Sequence, residues 1–488
     1  MTTKTIENMA FLQTCESMFG SEIIALFEGS NYLRMSDFAY AHHNHYVLLL
    51  STISRITLDK ARVLLSDFPT YYVHFLSELE FSQYPNHGLW QFYFRQPVIG
   101  KNPFSAKQLT TEQVFDGIKH SIIQIAHFTR KHYLSADNVW NSTWAIRWAP
   151  WILELLDYGV IRLYHYIDSN QYPMEINELI SYKYPDALIE IIEKLQFYKT
   201  KWNNEREIFL YDSESLMELL IFLNDAIEQY LDLLITHPMF IIESKKIEPK
   251  NNIFQDDNIY EQFAHALSDE LKDELLLLQL SGSQARGEAT QNSDVDTITV
   301  IKNIDTNTLL RIKSSLLKFP GFSSYVLSKN GFYAYPPYRD YTFRYGCQKL
   351  FGELIWNNTV NIADIRDGVR HTVITIAQVA REYYLRGGYP MRSIASLRWQ
   401  AKIADFGCLR LFPLLYGGNY LDTRDLVVDY FKENNTVQTI LDLLNNPDKW
   451  RKTCRQELLT GERKSIDQRL LLINQFALEI LTKLNLGG

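Results

Sequence analysis

The feature that most constrains this chain is repetition. The segment VFDGIKHSIIQIAHFTRKHYL (114–134) is answered by IRDGVRHTVITIAQVAREYYL (365–385). Ala145-Ile146-Arg147-Trp148 is answered by Ser396-Leu397-Arg398-Trp399, and 367−116, 371−120 and 398−147 all equal 251. Upstream, SEIIALFEGS (21–30) parallels DELLLLQLSGS (273–283). A constant separation over several blocks means one unit written twice, and what one copy folds into the other must approximate. The 488 residues therefore read as two tandem copies of a two-part unit, each part of ordinary domain size.

Within a copy the periodicity changes once. In the second copy an apolar run (275–280), a Gly-Ser break, a strand from residue 294, a helix-like TNTLLRIKSSLLKF (306–319) and strand candidates at 322–329 and 340–349 make an α/β part. Helical spacing then takes over, as in Val369, Val373, Ile376 and Val379-Ala380. The fold expected is α+β: two tandem units, each a small α/β domain with a mixed sheet followed by a helical bundle. The parts fall at 1–105 and 106–236, then 263–355 and 356–488. A polar linker over 237–262 carries two prolines.

The stretch 275–302, LLLLQLSGSQARGEATQNSDVDTITVIK, carries the chemistry. On a strand beginning at Asp294, Asp294 and Asp296 share a face. Two carboxylates on one face repel unless a cation lies between them, and hard Mg²⁺ suits oxygen ligands. Gly282 lets backbone approach a ligand, and Ser283 opens a short helix whose free N–H groups favour phosphate. Ser293 is placed to orient the turn before the acidic strand.

GSQARGEATQNSDVDTITV resembles the GSxARG…SDxD signature of the polymerase-β-like nucleotidyltransferases, in particular the antibiotic (aminoglycoside) branch. The resemblance implies a transfer of a nucleoside monophosphate, AMP from ATP or another nucleoside triphosphate, onto a hydroxyl of a small molecule. It also implies two Mg²⁺ ions and a third carboxylate from a later strand, for which the segment RDYTFRYG offers Asp340. Arg286 has two partners open to it, a phosphate or Glu288. Relatives place a basic helical residue on the triphosphate and helical acids at the acceptor. Lys402, which faces Trp151 across the copies, and Glu382, which faces Lys131, are the candidates for those roles.

The first copy reads as degenerate. Its acidic strand is replaced by AHHNHYVLLL (41–50), with His43 and His45 at the acidic places when a two-residue insertion is allowed, or Ala41 and His43 without one. Gly29-Ser30 reads as kept, and Gln91 stands for Asp340. Duplication also suggests a monomeric pseudo-dimer or a homodimer. A net charge of −8 argues against a broad nucleic-acid surface. The apolar helix near 216–235 carries Glu218, Asp225, Glu228 and Asp232, so no membrane span is expected. Four scattered cysteines and an N-terminus without an apolar core read as a cytoplasmic protein with reduced thiols. Two other functions fit the same residues: nucleotidylylation of a protein or tRNA, and a regulatory module with a nucleotide site.

Overall fold

In the computed structural model, residues 3–29, 44–104, 109–135, 139–211, 213–240, 245–250, 258–290, 293–357, 359–387 and 390–486 are described. The first α/β part runs α1 (Thr3–Phe19), β1 (Ile23–Gly29), β2 (Asn44–Leu50), α2 (Arg55–Asp67), β3 (Tyr71–Ser77) and β4 (Pro97–Gly100). Ser54 and Thr57 close a capping box that starts α2, satisfying backbone donors a helix end leaves open. The following helical part begins with α3 (Thr111–Leu134), capped in the same way by Thr110 and Gln113, and ends with α4 (Ser213–Thr236). Next come β5 (Lys245–Glu248), α5 (Ile259–Leu271), β6 (Leu275–Ser281), β7 (Val295–Ile301), α6 (Thr306–Leu317), β8 (Phe322–Ser328), β9 (Gln348–Phe351) and β10 (Glu353–Trp356). The second helical part includes α7 (Ile362–Arg386), α8 (Pro390–Ala404) and α9 (Lys464–Leu486). Among the described residues no helix is long and apolar enough to cross a membrane.

The α+β class with mixed sheets is as expected. Two four-stranded sheets have the orders β3-β2-β1-β4 and β8-β7-β6-β9. In each the central pair is antiparallel, one outer strand (β3 or β8) is parallel to its neighbour and the other (β4 or β9) antiparallel. Asn44 faces Tyr71 and Val295 faces Phe322, so 295−44 and 322−71 are again 251. The run 275–280 is buried along its length, which is why it reads as continuous apolar sequence rather than alternation.

Two expectations are corrected. The segment 340–349 is not one strand: Tyr341–Arg344 is a helical turn, and pairing starts only at Gln348. Nor is 237–262 all linker, since β5 pairs antiparallel with β10 and α5 starts at Ile259. Four residues of strand are too few to show a period.

The compact units are not the consecutive copies. One consists of Met1–Leu109 with Ile362–Gly488, the other of Thr110–Asn361. Each α/β part thus packs with the helical part of the other copy, against the expectation that it would pack with the one following it. In the second unit Ile123 of α3 joins Leu277, Ile298, Val300 and Leu327 of the sheet in one core. Arg130 of α3 donates to the Val326 carbonyl of β8 (3.1 Å) and to Asn224 Oδ1 (3.1 Å), and pairs with Glu228. In the first unit Arg381 of α7 donates to the Phe75 carbonyl of β3 (2.8 Å) and to Asn474 Oδ1 (2.6 Å), and pairs with Glu80 at 2.8 Å. Each arginine is buried and clamps a strand carbonyl to a helical part. Such a buried charge is tolerated only because its hydrogen bonds and counter-charge are supplied.

Candidate functional site

The acidic motif forms a compact corner at the ends of β6 and β7. β6 ends at Ser281, which faces Asp296 across the sheet. Gly282 then takes φ +69°, a left-handed conformation that side chains disfavour, and starts the helical turn Gly282–Ala285. A Cβ on Gly282 would lie 2.7 Å from Asp296 Oδ2. Glycine is therefore required for conformation and for room, and it brings the turn directly over the carboxylate. Ser283 is half-buried in this turn, and its carbonyl accepts from the Glu288 N–H at 2.9 Å. Arg286 pairs with Glu288 at 3.1 Å. Ser293 Oγ accepts from the Thr290 N–H at 2.9 Å and the Ser293 N–H donates to the Thr290 carbonyl at 2.9 Å, shaping the turn before β7.

Asp294 is exposed just ahead of β7, while Asp296 is half-buried within it. Asp296 pairs in register with Ser323 of β8, whose hydroxyl donates to Asp296 Oδ1 at 2.9 Å. Ser323 was missed in the sequence. The strand 322–329 was legible, but only the parallel register shows which of its residues lies beside the acid.

Asp340 belongs elsewhere. It is 5% exposed, precedes the turn Tyr341–Arg344, and pairs at 3.3 Å with Lys245 of β5, itself 3% exposed. Lys245 also donates to the Tyr335 carbonyl at 3.4 Å. This carboxylate neutralises a buried lysine and ties β5 to the sheet. Among the described residues no group of three or more His, Cys, Asp or Glu is placed to hold a metal ion, so Asp294, Asp296 and Asp340 are not gathered as one triad.

Lys402 and Glu382 are in the other compact unit, with the first α/β part. Lys402 is exposed on α8; Glu382 is 9% exposed and accepts from the Tyr72 hydroxyl at 3.0 Å. The register also settles the first copy. His45 faces Gly29 as Asp296 faces Ser281, so His45 stands at the acidic place and Gly29 one residue short of Gly282. The matching elements Trp90–Tyr93 and Tyr341–Arg344 set Leu89, not Gln91, against Asp340. His43 and Ser30 lie outside the described residues.

Comparison with family models, with curated proteins and with solved structures finds no match to this chain.

Proposed function

We propose that the unit Thr110–Asn361 is a metal-dependent nucleotidyltransferase, moving AMP from ATP onto a hydroxyl of a small, antibiotic-like acceptor. The observation that carries this reading is Gly282, whose missing side chain lets the turn Gly282–Ala285 lie directly against Asp296. Two carboxylates suit a Mg²⁺ ion that completes its shell with water and substrate phosphate, so Asp294 and Asp296 fit one ion. Among the described residues nothing gathered beside them fits the second, and the proposal takes one. When bound, the cation would neutralise charge developing on the phosphate oxygens, a contribution of several kcal/mol. Ser323 orients Asp296 through its hydroxyl, and the backbone at Gly282 and Ser283 approaches the phosphates. The site is argued from the unit Thr110–Asn361 by itself, in which Asp340 keeps its structural pairing.

On this reading the chain is a tandem duplication whose copies have exchanged helical parts, the single-chain counterpart of a swapped dimer. That Asp340 is engaged by Lys245 favours one other function, a regulatory module that binds nucleotide without transfer. Incubating the full chain with each labelled nucleoside triphosphate, Mg²⁺ and a cell extract separates the two. Label on a small molecule supports the proposal, and label on protein or RNA redirects the acceptor. Label bound but never transferred favours the module. No binding of any triphosphate overturns both.

A further inference from the structure

Beside the acidic corner, the face of the sheet carrying Ser323 continues along β8 to Tyr325, since alternate residues share a face. The helix laid against it is α3, which presents His127 and Lys131 one turn apart. His127 lies over the Tyr325 ring with centroids 4.9 Å apart, yet both His127 and Lys131 are exposed, so they line an open recess. Arg339 completes it. Its guanidinium is 5.9 Å from the Tyr335 centroid, and Tyr335 is 6.3 Å from Tyr325. Among the described residues no carboxylate pairs with Arg339 or Lys131. The Tyr325 hydroxyl is buried beside that of Tyr335.

Half-buried arginines are ordinarily matched by an acid, because desolvating a guanidinium without a counter-charge is costly. Here the surroundings are tyrosine rings and hydroxyls, an environment that holds a planar cation while leaving its donors available. The cations sit on one side of the recess, and Tyr325 offers a donor of its own. In the other unit the places of Lys131 and His127 are held by Glu382 and Gln378, at 9% and 8% exposure, and that of Arg339 by Gly88. The cationic recess therefore belongs to one unit alone.

We propose that Arg339, Lys131, His127 and Tyr325 form a binding site for a phosphate group, opposite in charge to a site for a cationic acceptor. Desolvation by the surrounding protein first, then Lys131, Arg339 and His132, hold the His127 imidazole below the usual histidine range, and the share due to those cationic neighbours is what a bound anion would relieve. The site stands without the transfer reading, and where that reading also holds, the phosphate is either the nucleotide's own or one carried by the acceptor.

The test is calorimetry of inorganic pyrophosphate with the full chain in metal-free buffer, so that neither turnover nor Asp294 and Asp296 enter. Native protein is expected to bind it. Arg339→Gln should weaken binding at least about tenfold, on the scale of a charge-assisted hydrogen bond, and Arg339→Lys should recover part of the loss. Unchanged thermal melting of both variants establishes that folding is not the cause. Repeating the titration with saturating ATP identifies the source: competition assigns the site to the nucleotide, undiminished binding to a phosphorylated acceptor. Failure of native protein to bind pyrophosphate, or equal binding by Arg339→Gln, overturns the proposal. If binding behaves as expected while no triphosphate is ever transferred, only the transferase reading falls.

Discussion

The two units build the same sheet and then treat one face of it in opposite ways. In the unit with the first α/β part, Tyr72 stands where the other has Ser323, with its ring 5.4 Å from His45 and its hydroxyl on Glu382. Arg386 lies over the Tyr72 ring at 4.8 Å, and the Tyr84 ring covers Gly88 so closely that a Cβ there would lie 2.4 Å from it. Burial holds the Tyr84 hydroxyl pKa up, to about 12. In the other unit the residues are Ser323, Asp296, Tyr335 and Arg339, and α3 leaves His127 and Lys131 exposed. One face is filled with aromatic rings and the other kept open and charged on an identical backbone register. The two faces thus differ by filling as much as by the presence of acids, while the clamp of Arg381 or Arg130 is common to both units. Scaffold and chemistry are separable within one chain.

The most drastic way to break this comparison is to cut the chain within 237–244. If each unit needs a helical part from the other copy, neither half alone should show a cooperative melt, and mixing the halves should restore one. A half that melts cooperatively by itself at the native temperature would show that an α/β part accepts its own helical part.

Next in size, Arg381→Ala should destabilise its unit by about 3–5 kcal/mol, because it strands Glu80 as a buried unpaired charge. Arg130→Ala should cost less, since Glu228 is 20% exposed where Glu80 is fully buried. Denaturant melts of both variants measure the difference, and equal losses would mean that the two clamps are energetically alike despite that exposure.

Replacing both Asp294 and Asp296 by Asn should lower transfer by at least about a hundredfold, the scale of losing metal stabilisation. His45→Ala, at the equivalent place in the filled unit, should leave turnover unchanged. Undiminished transfer by the double variant would remove the chemical distinction between the units.

The smallest expected effect concerns pH. The His127 pKa is lowered in the folded chain, so its stabilising contribution is complete above the unfolded value, about 6.5. That contribution is lost as pH falls through the window below it, because the unfolded chain binds the proton more readily. His127→Gln, which installs the residue found at the filled unit's equivalent position, should therefore melt with less sensitivity than native protein between pH 7 and pH 5. Equal pH sensitivity would mean that the His127 pKa is not lowered in the folded chain.

Much of this was open to reading in the residues themselves. The run 275–280, the Gly-Ser break and the strand after Ser293 specify a strand–turn–strand, because burial, φ and alternation are local requirements. That histidine or alanine rather than acid stands at the matching place in the first copy was equally visible, though the alignment was two-valued until strand pairing set His45 against Gly29. Asp340 misled because its context, flanked by aromatics, has the composition of a strand, while a helical turn and Lys245 decide its fate.

By itself the sequence determined that there are two similar sheets, two helical parts and one acidic corner, since repetition and periodicity are properties of neighbours along the chain. Only the tertiary structure decided which helical part joins which sheet, that Ser323 rather than an acid flanks Asp296, and that Lys131 rather than Glu382 lines the open recess. The physical reason is that an apolar stripe says a face is buried but not against what. With two related partners in one chain, long-range packing makes the choice.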